Sequence, residues 1–183
     1  MKEEHCIVLD FLPTGYADRR HAEPIAQALG KDFFTLLELV PREEISLKPE
    51  EEVYIGEGKR DKIRFIKGQI EYNQLTNLSQ TIIDEVVERI VNEKEQRFID
   101  FFNKATIITP RLHQFQLLPG VGKKHLQDIL EERQNKPFES FQDLSRRVKL
   151  FPEPKKTIIR RILLEIKDDE KYYLFVAKAR KKF

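Results

Sequence analysis

Leu117-Leu118-Pro119-Gly120-Val121-Gly122-Lys123-Lys124-His125-Leu126 is the stretch that decides the fold of the C-terminal half. Apolar residues run into a Pro-Gly-Val-Gly turn, and a basic helix start follows whose apolar face continues through Leu126, Ile129 and Leu130. Proline fixes one backbone angle and glycine permits positive ones, so the turn is tight and presents successive backbone N–H groups. Those of Gly120, Val121 and Gly122, the positive end of the helix, and Lys123 and Lys124 together make a phosphate clamp. The alternative is a turn that only joins two packed helices.

The same pattern returns further along. At an offset of 33 residues, Leu117-Leu118-Pro119 lies over Leu150-Phe151-Pro152, and Leu126, Ile129 and Leu130 lie over Ile159, Ile162 and Leu163. Two helical hairpins that share a core are expected. Gly120 and Gly122 fall opposite Glu153 and Lys155, so the second turn is expected to be a structural partner or a weaker contact. Lys155 and Lys156, with Arg160 and Arg161, extend a basic surface. Leu112, Phe115 and Leu118 predict a short helix entering the first hairpin. Ser140 and Asp143 have the spacing of a capping box for the helix between the hairpins.

The chain has 183 residues and a net charge of +2, and that small number hides an asymmetry. Residues 1–70 and 71–110 each sum to −3, whereas residues 111–183 sum to +8. A basic C-terminal half attracts the phosphates of RNA or DNA. An apolar content of 40% with 35% charged residues describes a globular chain. Without an eighteen-residue apolar run or a signal pattern, neither a membrane span nor secretion is expected. The single cysteine, Cys6, excludes an intrachain disulfide framework and fits a reducing, cytoplasmic setting.

The first seventy or so residues read as short strands punctuated by Gly and Pro: 6–12, 33–40, 53–55 and 63–70. That pattern predicts a small antiparallel barrel, with an OB-like form favoured by strand count and size. In the strand at 63–70 the alternation is imperfect and assigns no clear buried face. Tyr54, Arg64, Phe65, Lys67 and Tyr72 are its candidates for base stacking or strand contact, with core packing as the alternative for the aromatics. The loop between the first two strands carries Tyr16, Arg19 and Arg20, a base-stacking ring and two guanidinium groups for phosphate, unless Asp18 simply pairs with an arginine. Glu23 to Gly30 reads as a short helix, with Pro24 at its start and Gly30 at its end.

From Thr81 to Asn103 the apolar spacing becomes helical, through Ile82, Ile83, Val86, Val87, Ile90 and Val91 and then Phe98, Phe101 and Phe102. Thr81 and Asp84 suggest a capping box, and Lys94 interrupts the stripe, which allows a bend or an exposed middle turn. Tyr172 to Val176 reads as an edge strand ahead of a basic tail. The expected class is α+β: an OB-like domain at 1–73, a connecting helical segment at 74–110, an all-α paired-hairpin domain at 111–166 and an aromatic and basic tail at 167–183.

No catalytic residues, metal ligands or cofactor emerge. His5, His21, His113 and His125 are scattered, and no Walker loop, His-Glu-x-x-His segment or Gly-x-Ser-x-Gly elbow occurs. Whether the chain is an enzyme is left open, with nucleic-acid binding favoured. A protein-interaction scaffold and a metal-dependent nuclease whose acids are distant in sequence are the alternatives. The expected partners are RNA or DNA through backbone phosphates, RNA slightly favoured, and proteins of a ribonucleoprotein or repair assembly.

The turn and its echo resemble the paired helix-hairpin-helix domains of DNA-repair and DNA-uptake proteins. The whole chain resembles the archaeal DUF655 family, described as candidate nucleic-acid-binding proteins with an OB-like N-terminal part. That resemblance rests on Val8-Leu9-Asp10-Phe11-Leu12-Pro13-Thr14-Gly15-Tyr16-Ala17-Asp18-Arg19-Arg20 and Pro24-Ile25-Ala26-Gln27. It continues through Arg97-Phe98, Phe101-Phe102-Asn103-Lys104-Ala105 and Thr109-Pro110-Arg111-Leu112-His113-Gln114, and ends in Leu117–Gly122, Ile129–Arg133 and Pro137-Phe138-Glu139-Ser140-Phe141. By position it implies a phosphate-contact role for Gly120, Gly122, Lys123 and Lys124. It implies no catalytic activity, and Glu153 departs from the hairpin pattern in the second turn.

Overall fold

The computed structural model describes residues 2–16, 23–167 and 170–177. They fall into two compact units, Met1–Val87 with Glu165–Phe183, and Glu88–Leu164.

The first unit is built on five strands: β1 (His5–Leu12), β2 (Ile25–Gly30), β3 (Leu36–Pro41), β4 (Glu52–Tyr54) and β5 (Ile63–Gln69). They form one curled antiparallel sheet, an OB-like half-barrel, in the order β4-β1-β2-β3-β5. Cys6, Val8, Ala26, Ala28, Leu37, Leu39, Val53 and Ile63 meet Leu47 and Ile55 in the core. The alternate residues Ile7, Leu9, Ile25, Gln27 and Leu29 are buried as well, so the sheet is covered on both faces at its centre. Strand β2 is therefore buried at every position.

That burial corrects the short helix expected at Glu23–Gly30. Alanine favours helix in isolation, but tertiary context overrides so weak a preference. Here β2 is hydrogen-bonded to β1 and β3, and its alanines fit a crowded inner face. Gln27, on the other face, is satisfied completely. Its amide nitrogen donates to the Tyr16 hydroxyl at 2.8 Å and the Gln74 carbonyl at 2.9 Å. Its oxygen accepts from Thr76 N–H at 2.9 Å and the Ser79 hydroxyl at 2.8 Å.

Strand β5 has two bulges, where Phe65 and Ile63 pair with adjacent Val40 and Pro41, and Gly68 and Ile66 with adjacent Glu38 and Leu39. Arg64 and Lys67 are the extra residues. A bulge shifts the alternation by one position, so Ile63 and Ile66, three apart, both reach the core while Arg64 and Phe65 are exposed.

Helix α1 (Asn77–Glu93) starts four residues earlier than the stripe suggests. Thr76 caps it, its hydroxyl accepting from Ser79 N–H at 3.1 Å and donating to the Asp10 carboxylate at 2.7 Å. Thr81 lies inside the helix and donates to the Asn77 carbonyl at 2.8 Å, so the Thr81–Asp84 capping box does not form. The expected edge strand at Tyr172–Val176 does not form either. The backbone N–H groups of Leu174, Phe175 and Val176 instead all donate to the buried Glu165 carboxylate, at 2.7, 2.9 and 2.9 Å. Ala177 N–H then donates to the Phe33 carbonyl at 2.9 Å.

The second unit takes up the end of α1 and then α2 (Glu95–Lys104), which begins beyond the expected bend at Lys94. A two-stranded ribbon, β6 (Ile107–Thr109) and β7 (Leu112–His113), follows. The entering helix is a single 3-10 turn, Gln114–Leu117, because Leu112 and His113 are taken up by the ribbon. His113 caps that turn, its Nδ1 accepting from Phe115 N–H at 3.1 Å. Then come α3 (Lys123–Asn135), α4 (Phe141–Arg147) and α5 (Pro154–Lys167), whose final residues belong to the first unit. Ser140 caps α4 through Asp143 N–H at 3.0 Å, but the Asp143 carboxylate accepts from Glu139 N–H at 3.3 Å, so the reciprocal arm of the expected capping box does not form.

The core of this unit is aromatic. Phe102 stacks on Phe115 with ring centroids 5.6 Å apart, and Phe101 meets Phe115 edge-on at 5.7 Å. Ile129, Phe138, Leu144 and Ile162 are buried in the same unit. The 33-residue echo holds for burial: Ile129 and Ile162 are buried, and Leu126, Leu130, Ile159 and Leu163 are half-buried.

Candidate nucleic-acid interface

The first turn needs glycine at one position only. Gly120 has φ +81, and a side chain there would also meet Pro152 at 3.1 Å. Val121 faces inward, 8% exposed, and its N–H donates to the Leu118 carbonyl at 3.1 Å, so it holds the turn closed. Gly122 is the N-cap of α3 in an ordinary extended conformation, φ −89, and gives the helix no side-chain cap. A Cβ at Gly122 would meet nothing within 4 Å. The start of α3 is thus open on that side. Lys123 and Lys124 are both exposed there, with no ion-pair partner among the described residues.

The second turn differs in the ways that matter for an anion. Its left-handed residue is Leu150, φ +60, rather than the Glu153 that lies opposite Gly120 at an offset of 33. Lys156 is paired with Glu153 at 2.8 Å, and Lys155 approaches Glu88 at 3.8 Å. The hydrogen bond from Lys156, with the charges of both lysines, holds the Glu153 carboxyl below its usual range. Both cations already face acids.

The two turns are brought together by His125, which the sequence placed only as one of four scattered histidines. Its Nδ1 lies 3.2 Å from the Gly120 carbonyl oxygen and its Nε2 3.0 Å from that of Leu150. Its ring meets Phe151 edge-on at 5.7 Å. Arg161, expected on a basic surface, is 3% exposed, and its guanidinium donates to the Leu117 carbonyl at 3.2 Å.

The other expected contacts belong to the first unit or lie outside the described residues. Arg19 and Arg20 are in the latter group, as is the basic tail from Lys178. Tyr16 is half-buried and donates to the Glu38 carboxylate at 2.6 Å. Arg64 is exposed at its bulge, with its guanidinium 5.9 Å from the Phe65 ring centroid. Lys67 is paired with Glu23 at 2.8 Å. A cleft of about 550 Å³ lies within this unit, lined by residues of both edge strands, among them Tyr54, Ile66 and Gln69. Among the described residues no group of three or more His, Cys, Asp or Glu side chains could hold a metal ion. Nor is any described helix long and apolar enough to cross a membrane.

Comparison with known proteins joins both units in one family. The family model described as "Protein of unknown function (DUF655)" matches residues 2–177. The chain belongs to the DUF655 family. It is 44% identical over 176 residues to the uncharacterized protein MJ0038 of Methanocaldococcus jannaschii, covering 95% of this chain and 80% of that protein. The crystal structure of Af1531 from Archaeoglobus fulgidus, a DUF655 structure, is similar with a TM-score of 0.84 and 44% identity. That match covers 96% of this chain and all of the other. The half-barrel and helical hairpins therefore form a DUF655 architecture.

Proposed function

We propose that this DUF655 protein binds nucleic acid through its backbone phosphates, largely independently of sequence, with RNA slightly favoured over DNA. The observation that carries the reading is the contrast between the two turns. Among the described residues Lys123 and Lys124 have no ion-pair partner at an open, glycine-capped helix start, whereas Lys155 and Lys156 face acids. First-turn N–H groups and the helix dipole favour an anion at such an end, and two ammonium groups beside it add long-range attraction. Phosphate contacts of this kind position a nucleic acid without reading its bases. Arg64 beside Phe65 is a secondary contact for an exposed strand, and Tyr16, Arg19 and Arg20 are the further candidates by residue type. The compartment we propose is the cytoplasm, and the partners are RNA or DNA within a ribonucleoprotein or repair assembly.

The test is direct binding to matched single- and double-stranded RNA and DNA at several salt concentrations, for the native chain and Lys123→Ala/Lys124→Ala. Loss of two phosphate contacts should reduce the logarithmic salt slope on duplex DNA by about 1.8, at ~0.9 per contact. Affinity should fall similarly for unrelated sequences. Lys155→Glu/Lys156→Glu should have the smaller effect. A folded Lys123/Lys124 variant with native affinity and slope overturns the assignment, and tighter binding of duplex DNA than of RNA reverses the preference.

A further inference from the structure

Among the described residues other than glycine, Phe34, Glu44, Glu50 and Leu150 hold a left-handed backbone. Phe34 is fully buried, and Glu44 and Glu50 are exposed polar residues. Of the four, Leu150 alone combines that conformation with an exposed apolar side chain, 85% accessible. A left-handed residue with a Cβ is strained, and such strain persists where a site uses it.

The exposure of Leu150 is built in on both sides. Val148 before it is buried, and Phe151 N–H donates to the Val148 carbonyl at 3.4 Å and closes the tip. The Phe151 ring after it meets Phe102 and His125 edge-on, at 6.1 and 5.7 Å. The hairpin pattern does not demand this arrangement, since Leu117, its counterpart 33 residues earlier, is half-buried in the 3-10 turn. The tip also adjoins the first turn. The carbonyls of Leu150 and Gly120 lie 3.0 and 3.2 Å from the two nitrogens of one His125 ring, and a Cβ on Gly120 would meet Pro152 at 3.1 Å. Lys149, exposed and without an ion-pair partner among the described residues, immediately precedes it.

We propose that Leu150 is an apolar wedge that enters nucleic acid held at Lys123 and Lys124, so that the protein selects unstacked bases, at mismatches, bulges and loops, over a continuous duplex. This rests on the phosphate-binding reading above. Phosphate contacts carry no information about the bases. An aliphatic side chain gains only where it leaves water, and in a duplex the apolar surface it would cover lies between stacked base pairs. Opening such a step costs unstacking energy, whereas at a mismatch or a loop the step is already loosened. A side chain on a backbone fixed from both sides needs little further ordering to insert. RNA presents unstacked bases in its bulges and loops, which agrees with the preference for RNA.

The test compares a continuous duplex with the same duplex carrying adjacent central mismatches, in DNA and in RNA, so that the phosphates are equal in number. Affinity is measured at several salt concentrations for the full native chain, Leu150→Asn, Leu150→Met and Lys123→Ala/Lys124→Ala. Asparagine tolerates the left-handed conformation, and thermal unfolding checks that each variant is folded. The native chain should favour the mismatched duplex by about tenfold, the order expected for burying one aliphatic side chain. Leu150→Asn should abolish that preference and keep the native salt slope, because an apolar contact releases no counterions. Leu150→Met should keep the preference. The lysine variant should lose slope on both duplexes and keep the ratio between them. No preference in the native chain, an undiminished one in Leu150→Asn, or an equal loss on both duplexes overturns the wedge, and the lysine variant still decides the clamp. A Leu150→Met chain that behaves like Leu150→Asn overturns the wedge as well. A chain that binds none of the probes removes both readings.

Discussion

At Leu150 the chain places a large apolar side chain, 85% exposed, on a backbone at φ +60. A left-handed conformation costs a residue with a Cβ about 1–2 kcal/mol, and this side chain recovers little of that by packing. Leu150→Gly is expected to raise stability by up to about 1 kcal/mol, net of the extra freedom glycine gives the unfolded chain, measured by denaturant unfolding. Gly120→Ala should move the other way by about 1–2 kcal/mol, because it meets both a positive φ and Pro152. Gly122→Ser separates fold from function. A serine cap adds a few tenths of a kcal/mol, yet it fills the open side of the helix start, so stability should rise slightly while nucleic-acid affinity falls. His113 contributes a pH dependence of its own. Burial holds its pKa below the usual value, with the charge of Arg133 adding to the effect. The folded state thus prefers the neutral ring, whose Nδ1 accepts from Phe115 N–H. The contribution is complete above the ordinary histidine range and is lost as pH falls through it toward the lowered folded value. Thermal unfolding between about pH 7.5 and about pH 5 should show that loss, and His113→Gln should show a smaller one.

Among the elements, the joint between α3 and α4 is gathered by the Arg147 side chain. Arg147 donates to the carboxylates of Glu132 and Asp143, each at 3.1 Å, and to the Lys136 carbonyl at 2.7 Å, and it also reaches the Glu132 carbonyl. Its guanidinium lies 4.5 Å from the Phe138 ring centroid. The end of α3 is thereby capped from the next helix. Arg147→Ala should cost about 3 kcal/mol, since it leaves the Lys136 carbonyl and the Glu132 carboxylate without this donor. Arg147→Lys should recover little, because an ammonium cannot reproduce a planar fork that also covers a ring. None of this could be read along the chain, since Glu132, Lys136, Asp143 and Arg147 acquire their meaning only once the turn between the helices has closed. The hairpin helices themselves were legible: Leu126, Ile129 and Leu130 and their counterparts 33 residues on follow a helical period that burial confirms. Strand β2 was not. Ile25-Ala26-Gln27-Ala28-Leu29 has no alternation to display when both faces are covered, and its one polar residue is satisfied by groups from three other segments. Bulges blurred β5 for a related reason: two extra residues break the period that identifies a buried face. At the candidate site, the glycines and lysines of the first turn could be recognised from spacing, whereas the bridging role of His125 depends on a turn 25 residues further along.

Over the whole molecule, the N-terminal sheet draws on the far end of the chain. Glu165 accepts three consecutive N–H groups from residues 174–176, Ala177 donates to Phe33, and Lys167 pairs with Asp84 at 2.9 Å. Glu165→Gln turns one accepting oxygen into a donor facing N–H groups, and it should cost about 2–3 kcal/mol. Hydrogen exchange should report the change first in residues 174–177 and at Phe33.

The discontinuity of the first unit also orders events on the ribosome. Strands β1 to β5 emerge first, but Glu165 and the segment it anchors are translated only after the entire helical unit. Domains usually complete folding in the order in which they are made. Here the second unit has all its residues before the first does. Stalled nascent chains should therefore show protease-resistant hairpins while the sheet is still susceptible, with its protection completed only when residue 177 clears the exit tunnel.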